Sequence, residues 1–183
     1  MKYVAFLRGI NVGGHKLVSM TKLREVFDSL GFEKVETLLV SGNVVFEAPA
    51  KSTEVHAARI EKKLKSAFGH EIGVIIRPMT DLQRLVKSDP FKSIKVTPQT
   101  RLYVTFLRKK PKAALKIPDE TEAGFRILHV SETEVCSVVT LSSNRQTTDL
   151  MRFLEKELTR NVTTRNWNTI LKILKSDSQE MAV

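Results

Sequence analysis

A single cysteine, Cys136, stands in the 183 residues, so the chain can form neither an intrachain disulfide nor a multi-cysteine metal cluster. A reducing compartment, by default the cytoplasm, is therefore the expectation. No apolar run approaches the roughly 18 residues that a membrane helix needs. Near the N-terminus Arg8 interrupts the short apolar segment too early for a signal-peptide core, so a soluble protein without membrane association is expected. The four histidines form no constellation: His56 falls in a helical pattern, His70 after a helix stop, His129 in a strand pattern and His15 in a loop. None has metal-ligand spacing with another, no paired acids suggest a hydrolase, and Ser41 lacks the flanking glycines of a nucleophile elbow. No metal and no cofactor are expected.

Positive charge is plentiful. Thirty Lys and Arg against twenty Asp and Glu give a formal net charge of +10, which favours encounters with phosphates, nucleic acid or acidic surfaces. Several lysines, such as Lys62, Lys63, Lys65, Lys109, Lys110 and Lys112, equally suit solvated faces.

Hydrophobic periodicity gives the order β-α-β-β-α-β over the first half. "KYVAFLR" reads as a buried strand. A helix follows from about Met20 to Leu30, capped by Ser19, and a hairpin "VETLLV" and "VVFEA" turns through Ser41, Gly42 and Asn43. A second helix runs from about Ser52 to Phe68, with Val55, Ile60, Leu64, Ala67 and Phe68 inward and Gly69 as its stop. "GVIIRP" is the fourth strand and Thr80 to Lys87 a short helix.

The pattern then restarts. "LYVTFLR" at 102–108 echoes "KYVAFLR" at 2–8, and "RNWNTILKILK" from Arg165 lies over "RPMTDLQRLVK" from Arg77. The expected fold is therefore α+β, a tandem duplication of ferredoxin-like (βαββαβ) units with mostly antiparallel sheets. The first repeat spans 1–88, a linker with Pro90 and Pro98 spans 89–100, the second repeat spans 101–175, and 176–183 form a disordered tail. Whether the N-terminal strands stay in their own sheets or exchange is open at this level.

Two segments concentrate candidate functional residues. "FLRGINVGGHK" places Arg8, Gly9, Asn11, Gly13, Gly14 and Lys16 after a strand, and topology brings this loop beside Ser41, Gly42 and Asn43. Glycine amides and the Ser19 helix start there form either an anion site or a loop that needs glycine only to turn. His15 interrupts the Walker A spacing and Leu17 replaces its hydroxyl residue, which excludes a P-loop NTPase. The dinucleotide fingerprint is absent, and the third strands lack the stacking aromatics of an RNA-recognition domain. In "TTRNWNT", Asn166 can cap a helix while Trp167 packs inward; alternatively Arg165 grips an anion and Trp167 lines a pocket, with Asn168 beside it.

Together the LRGINVGG, SGNVVF, DPF, LYVTFL and TRNWNT blocks resemble the DUF1697 family of bacterial proteins over nearly the whole chain. The resemblance implies a duplicated ferredoxin-like fold and carries no established activity. By resemblance its motif positions are Arg8, Gly9, Asn11, Gly13, Gly14, Ser41, Gly42, Asn43, Arg165, Asn166, Trp167 and Asn168.

Three functions follow as expectations. The first is a non-catalytic module that binds a phosphate-bearing ligand, nucleic acid or nucleotide, at the glycine-rich loop. The alternatives are an enzyme acting on a small phosphorylated or carboxylated metabolite, and a protein-interaction scaffold.

Overall fold

A computed structural model describes residues 1–11, 17–111, 114–117, 124–142, 147–158 and 161–180. The chain divides into two compact units, Met1–Gln83 and Arg84–Val183. The second thus begins before the segment 89–100, which the sequence suggested was a linker.

The first unit runs β1 (Lys2–Leu7), α1 (Met20–Asp28), β2 (Glu33–Leu38), β3 (Asn43–Glu47), α2 (Thr53–Phe68) and β4 (Val74–Pro78). Helix α3 (Met79–Ser88) follows directly and carries the chain into the second unit. Its sheet has the order β2-β3-β1-β4, every neighbour antiparallel. That is the ferredoxin-like arrangement, with the first strand between the third and fourth.

Local chemistry explains the boundaries. Ser19 Oγ accepts from Lys22 N at the start of α1, and Ser52 Oγ accepts from Glu54 N at the start of α2, each satisfying an amide that the helix leaves unpaired. Gly69 ends α2 in the left-handed conformation, φ 76°. The core between sheet and helices comprises Tyr3, Ala5, Leu7, Val44, Phe46, Val74 and Ile76 from the strands, with Leu23, Phe27, Ile60 and Leu64 from the helices.

One expectation about α2 is corrected. Val55 faces out at 46% exposure, and His56 is fully buried in its place. Its ring meets Tyr3, Phe32 and Phe46, with centroids 5.3 to 6.4 Å away. His56 Nε2 donates to Pro49 O at 3.1 Å, which offsets part of the cost of burying an imidazole.

The second unit repeats the strand plan: β5 (Thr100–Leu107), β6 (Phe125–Val130), β7 (Glu134–Thr140), α4 (Thr147–Leu158), β8 (Val162–Asn166) and α5 (Trp167–Glu180). Its sheet is β6-β7-β5-β8, again antiparallel throughout. Each first strand therefore stays in its own unit. Helix α5 continues to Glu180, through part of the segment expected to be a disordered tail.

The internal repeat holds at the level of register. Arg77 pairs with Val4 and Arg165 with Val104, and in both units the last strand passes straight into a helix. Met79, Leu82 and Leu85 of α3 are buried, as are Trp167, Ile170 and Ile173 of α5. Among the described residues no helix is long and apolar enough to cross a membrane.

Candidate functional site

The two segments singled out by sequence lie in different units, and each has its own geometry. In the first unit the loop after β1 does meet the β2–β3 hairpin. Leu7 N donates to Gly42 O at 2.8 Å, and Ile10 packs so tightly on Gly42 that a Cβ there would lie 2.5 Å from its Cδ1. Gly42 also has φ 74°, so both the approach and the conformation require glycine.

Asn11 ties the same region together. Its Nδ2 donates to Val18 O at 3.1 Å and Val40 O at 2.8 Å, while its Oδ1 accepts from Val18 N at 2.8 Å. Asn43, fully buried, donates through Nδ2 to Leu38 O at 2.8 Å and Ser41 Oγ at 3.1 Å. Both polar atoms of the Asn11 side-chain amide and the amide nitrogen of Asn43 are thus engaged in holding loop and hairpin. Arg8 N donates to Gly73 O, and Gly9 has φ 61°. Gly13, Gly14, Lys16 and also His15 lie outside the described residues.

In the second unit, Asn166 caps α5: its Oδ1 accepts from Asn168 N at 2.9 Å. Trp167, 8% exposed, packs edge-on against Phe91 with centroids 4.9 Å apart. Arg165 is buried, and its Nη1 donates to Thr163 Oγ1 at 2.8 Å and Thr164 O at 2.9 Å. Burial pulls the Arg165 guanidinium down to about 10.

A cleft of about 430 Å³ opens at this β8–α5 junction, lined by Asn166, Trp167 and Asn168. Its other walls come from the segment before β5, through Asp89, Phe91, Lys92 and Val96, and from the start of β5, through Thr100, Arg101 and Leu102. The volume lies in the range of small-molecule sites. Arg165 does not line it.

The cleft's polar groups are distinct in role. Arg101 Nη1 donates to Pro98 O at 2.7 Å and Thr100 O at 3.0 Å, which orients the guanidinium; among the described residues Nε and Nη2 have no other acceptor. Lys92 is exposed at the rim. Asp89 sits in the left-handed region, φ 43°, where Asp is tolerated better than most residues. Two cations, one carboxylate and an apolar wall of Phe91 and Trp167 thus surround one space.

Sequence reasoning named Asn166, Trp167 and Asn168 but missed Lys92 and Arg101. The available signal was Phe91, a large apolar residue inside a stretch otherwise composed like a linker. Among the described residues no group of three or more His, Cys, Asp or Glu is arranged to hold a metal ion.

Two antiparallel sheets, each with its first strand central and helices packed on it, define a duplicated ferredoxin-like protein. The chain belongs to the DUF1697 family, described as proteins of unknown function, whose sequence model matches residues 1–135. Among solved structures it is similar to a conserved bacterial protein of Streptococcus pneumoniae, at 20% identity, with a TM-score of 0.65 over 94% of this chain and 96% of that one. No curated protein matches it significantly.

Proposed function

We propose that the protein is a non-catalytic module that binds a small phosphate-bearing ligand, of nucleotide or sugar-phosphate size, in the cleft of the second unit. The observation that carries this reading is the joint presence of Lys92 and Arg101 on a space of about 430 Å³ walled by Phe91 and Trp167. An oriented guanidinium suits a phosphate through paired hydrogen bonds, and Lys92 adds a point charge. Asp89 supplies the complementary half, because a carboxylate accepts hydrogen bonds from a sugar hydroxyl or a base amine. The glycine-loop residues Asn11 and Asn43 are committed to the fold, which moves the binding role away from them.

The test is a thermal-shift and calorimetric titration with nucleoside monophosphates, sugar phosphates and inorganic phosphate. A ligand present at about 100 times its Kd adds roughly 2.7 kcal/mol of stability. Lys92→Ala and Arg101→Ala are each expected to weaken binding about tenfold, equivalent to about 1.4 kcal/mol. Binding that survives both substitutions but is lost in Arg8→Ala would put the ligand at the glycine loop instead and overturn the cleft reading. Turnover of the bound ligand would favour the enzyme alternative.

A further inference from the structure

The seam between α1 and α2 in the first unit carries a row of cations without ion pairs among the described residues. Arg59, Lys62, Lys63 and Ser66 follow one another at helical spacings of three, one and three residues, so they share one exposed stripe of α2. With Leu30 they line a shallow cleft of about 350 Å³. Arg59 is held in place: Nη2 donates to Leu30 O at 3.0 Å, and the guanidinium lies 5.5 Å over the Phe32 ring. At the other end of the seam, Lys22 of α1 sits 5.2 Å over the ring of Phe68. Arg59, Lys62, Lys63 and Lys22 therefore run along the seam from the end of α1 to the end of α2.

Neighbouring charges behave differently. Lys65 pairs with Glu71 at 2.9 Å, Arg24 approaches Asp28 at 3.9 Å, and Lys34 pairs with Glu47 at 2.8 Å. Glu61, on the same helix, accepts from Val74 N through Oε1 at 2.9 Å and is thereby directed to the sheet. Among the described residues, the seam cations have no carboxylate partner.

We propose that this seam is a track for the phosphate backbone of a nucleic acid. From Arg59 to Phe68 the helix rises about 14 Å at 1.5 Å per residue. One strand of a duplex presents a phosphate about every 3.4 Å along the duplex axis, so about four fall within that length. The forked Arg59 and the Ser66 hydroxyl add hydrogen bonds that a bare charge lacks. The seam presents four cations, Arg59, Lys62, Lys63 and Lys22, and this suits the unbroken negative charge of a phosphate backbone. This surface is separate from the cleft of the second unit, and the inference does not rest on that reading.

The experiment measures binding of fluorescent 20-nucleotide single-stranded and duplex oligonucleotides by anisotropy across a salt series. Four contacts predict a log–log slope of about −2.8 for single strands or −3.6 for duplex. Lys62→Gln/Lys63→Gln should make the slope shallower by about 1.4 for single strands or about 1.8 for duplex. Lys95→Gln/Lys175→Gln, which removes two exposed charges from the second unit, should leave it unchanged. Equal effects of the two double variants would overturn the track, as would poly-glutamate competing as well as an oligonucleotide of equal charge. Loss of nucleotide binding in Lys92→Ala would leave these slopes untouched, so either proposal can fail alone.

Discussion

Where the first unit places Phe46 opposite Tyr3, the second places Ser137 opposite Tyr103. The difference extends along the same sheet face: Ala5 and Ile76 in the first unit correspond by register to Thr105 and Thr164 in the second. In the first unit this face is closed by rings, with Phe46 stacked on Tyr3 at 5.6 Å and close to Phe27 and Phe32 at 5.4 and 4.6 Å. In the second, hydroxyls meet one another. Thr105 and Thr164 share a hydrogen bond of 2.8 Å, and Tyr103 and Thr147 one of 3.0 Å. Ser137 Oγ is buried without a partner among the described residues.

One strand plan thus supports two kinds of interior. Burying a large ring contributes several times what a hydroxyl pair contributes, because the pair only exchanges hydrogen bonds with water for hydrogen bonds within the protein. The first unit should be the stiffer of the two, and the second, which holds the cleft, the more readily opened.

The largest test of this contrast substitutes the corresponding residues. Phe46→Ala is expected to cost about 3–5 kcal/mol in urea denaturation, by transfer and cavity terms together. Ser137→Ala should be close to neutral, since it removes a buried hydroxyl that has no partner. Comparable losses in both would break the comparison.

A smaller effect sharpens the hydroxyl side. Thr164→Val leaves the fully buried Thr105 hydroxyl unpaired and should cost about 1–3 kcal/mol. The double variant Thr105→Val/Thr164→Val should recover most of that loss. A double-mutant cycle showing simple additivity would mean that the pair does not act as a unit.

The smallest effect appears only in alkali. Cys136 stands in the second unit where Val45 stands in the first. Burial, then the charge of Glu134, push its thiol from 9.0 up to about 12. The folded thiol stays protonated while the unfolded one ionises, so this group's contribution is complete below about pH 9 and is lost as pH rises toward about 12. Cys136→Val should match the wild type at pH 7 and gain on it by on the order of 1 kcal/mol at pH 10. Identical pH profiles would show that the thiol is not so shielded.

Much of the fold was legible because it rests on local signals. Ser19 and Ser52 mark helix starts through their side-chain hydroxyls, Gly69 marks an end through its backbone conformation, and the echo of "KYVAFLR" in "LYVTFLR" marks the duplication. The burial of His56 in preference to Val55 was not legible. It depends on Tyr3, Phe32, Phe46 and Pro49, which helix periodicity does not contain.

The candidate site was legible in part for a related reason. Polar residues beside glycine suggested ligand contacts, yet Asn11 and Asn43 spend their hydrogen bonds on backbone groups up to 29 residues away. Lys92 and Arg101 gain meaning only when the segment before β5 folds against Asn166 and Trp167. Such convergence leaves no spacing rule in the sequence.

The first sheet is built from one contiguous stretch of chain, which matters during synthesis. Strands β1 to β4 all lie within residues 2–78, so the first sheet has every one of its strands before any part of the second unit is made. At about 5–20 residues per second, translating the remaining hundred or so residues takes roughly 5–20 s. That interval exceeds the folding time of most small α/β domains. The ring-filled unit can therefore close on the ribosome before the second unit is complete.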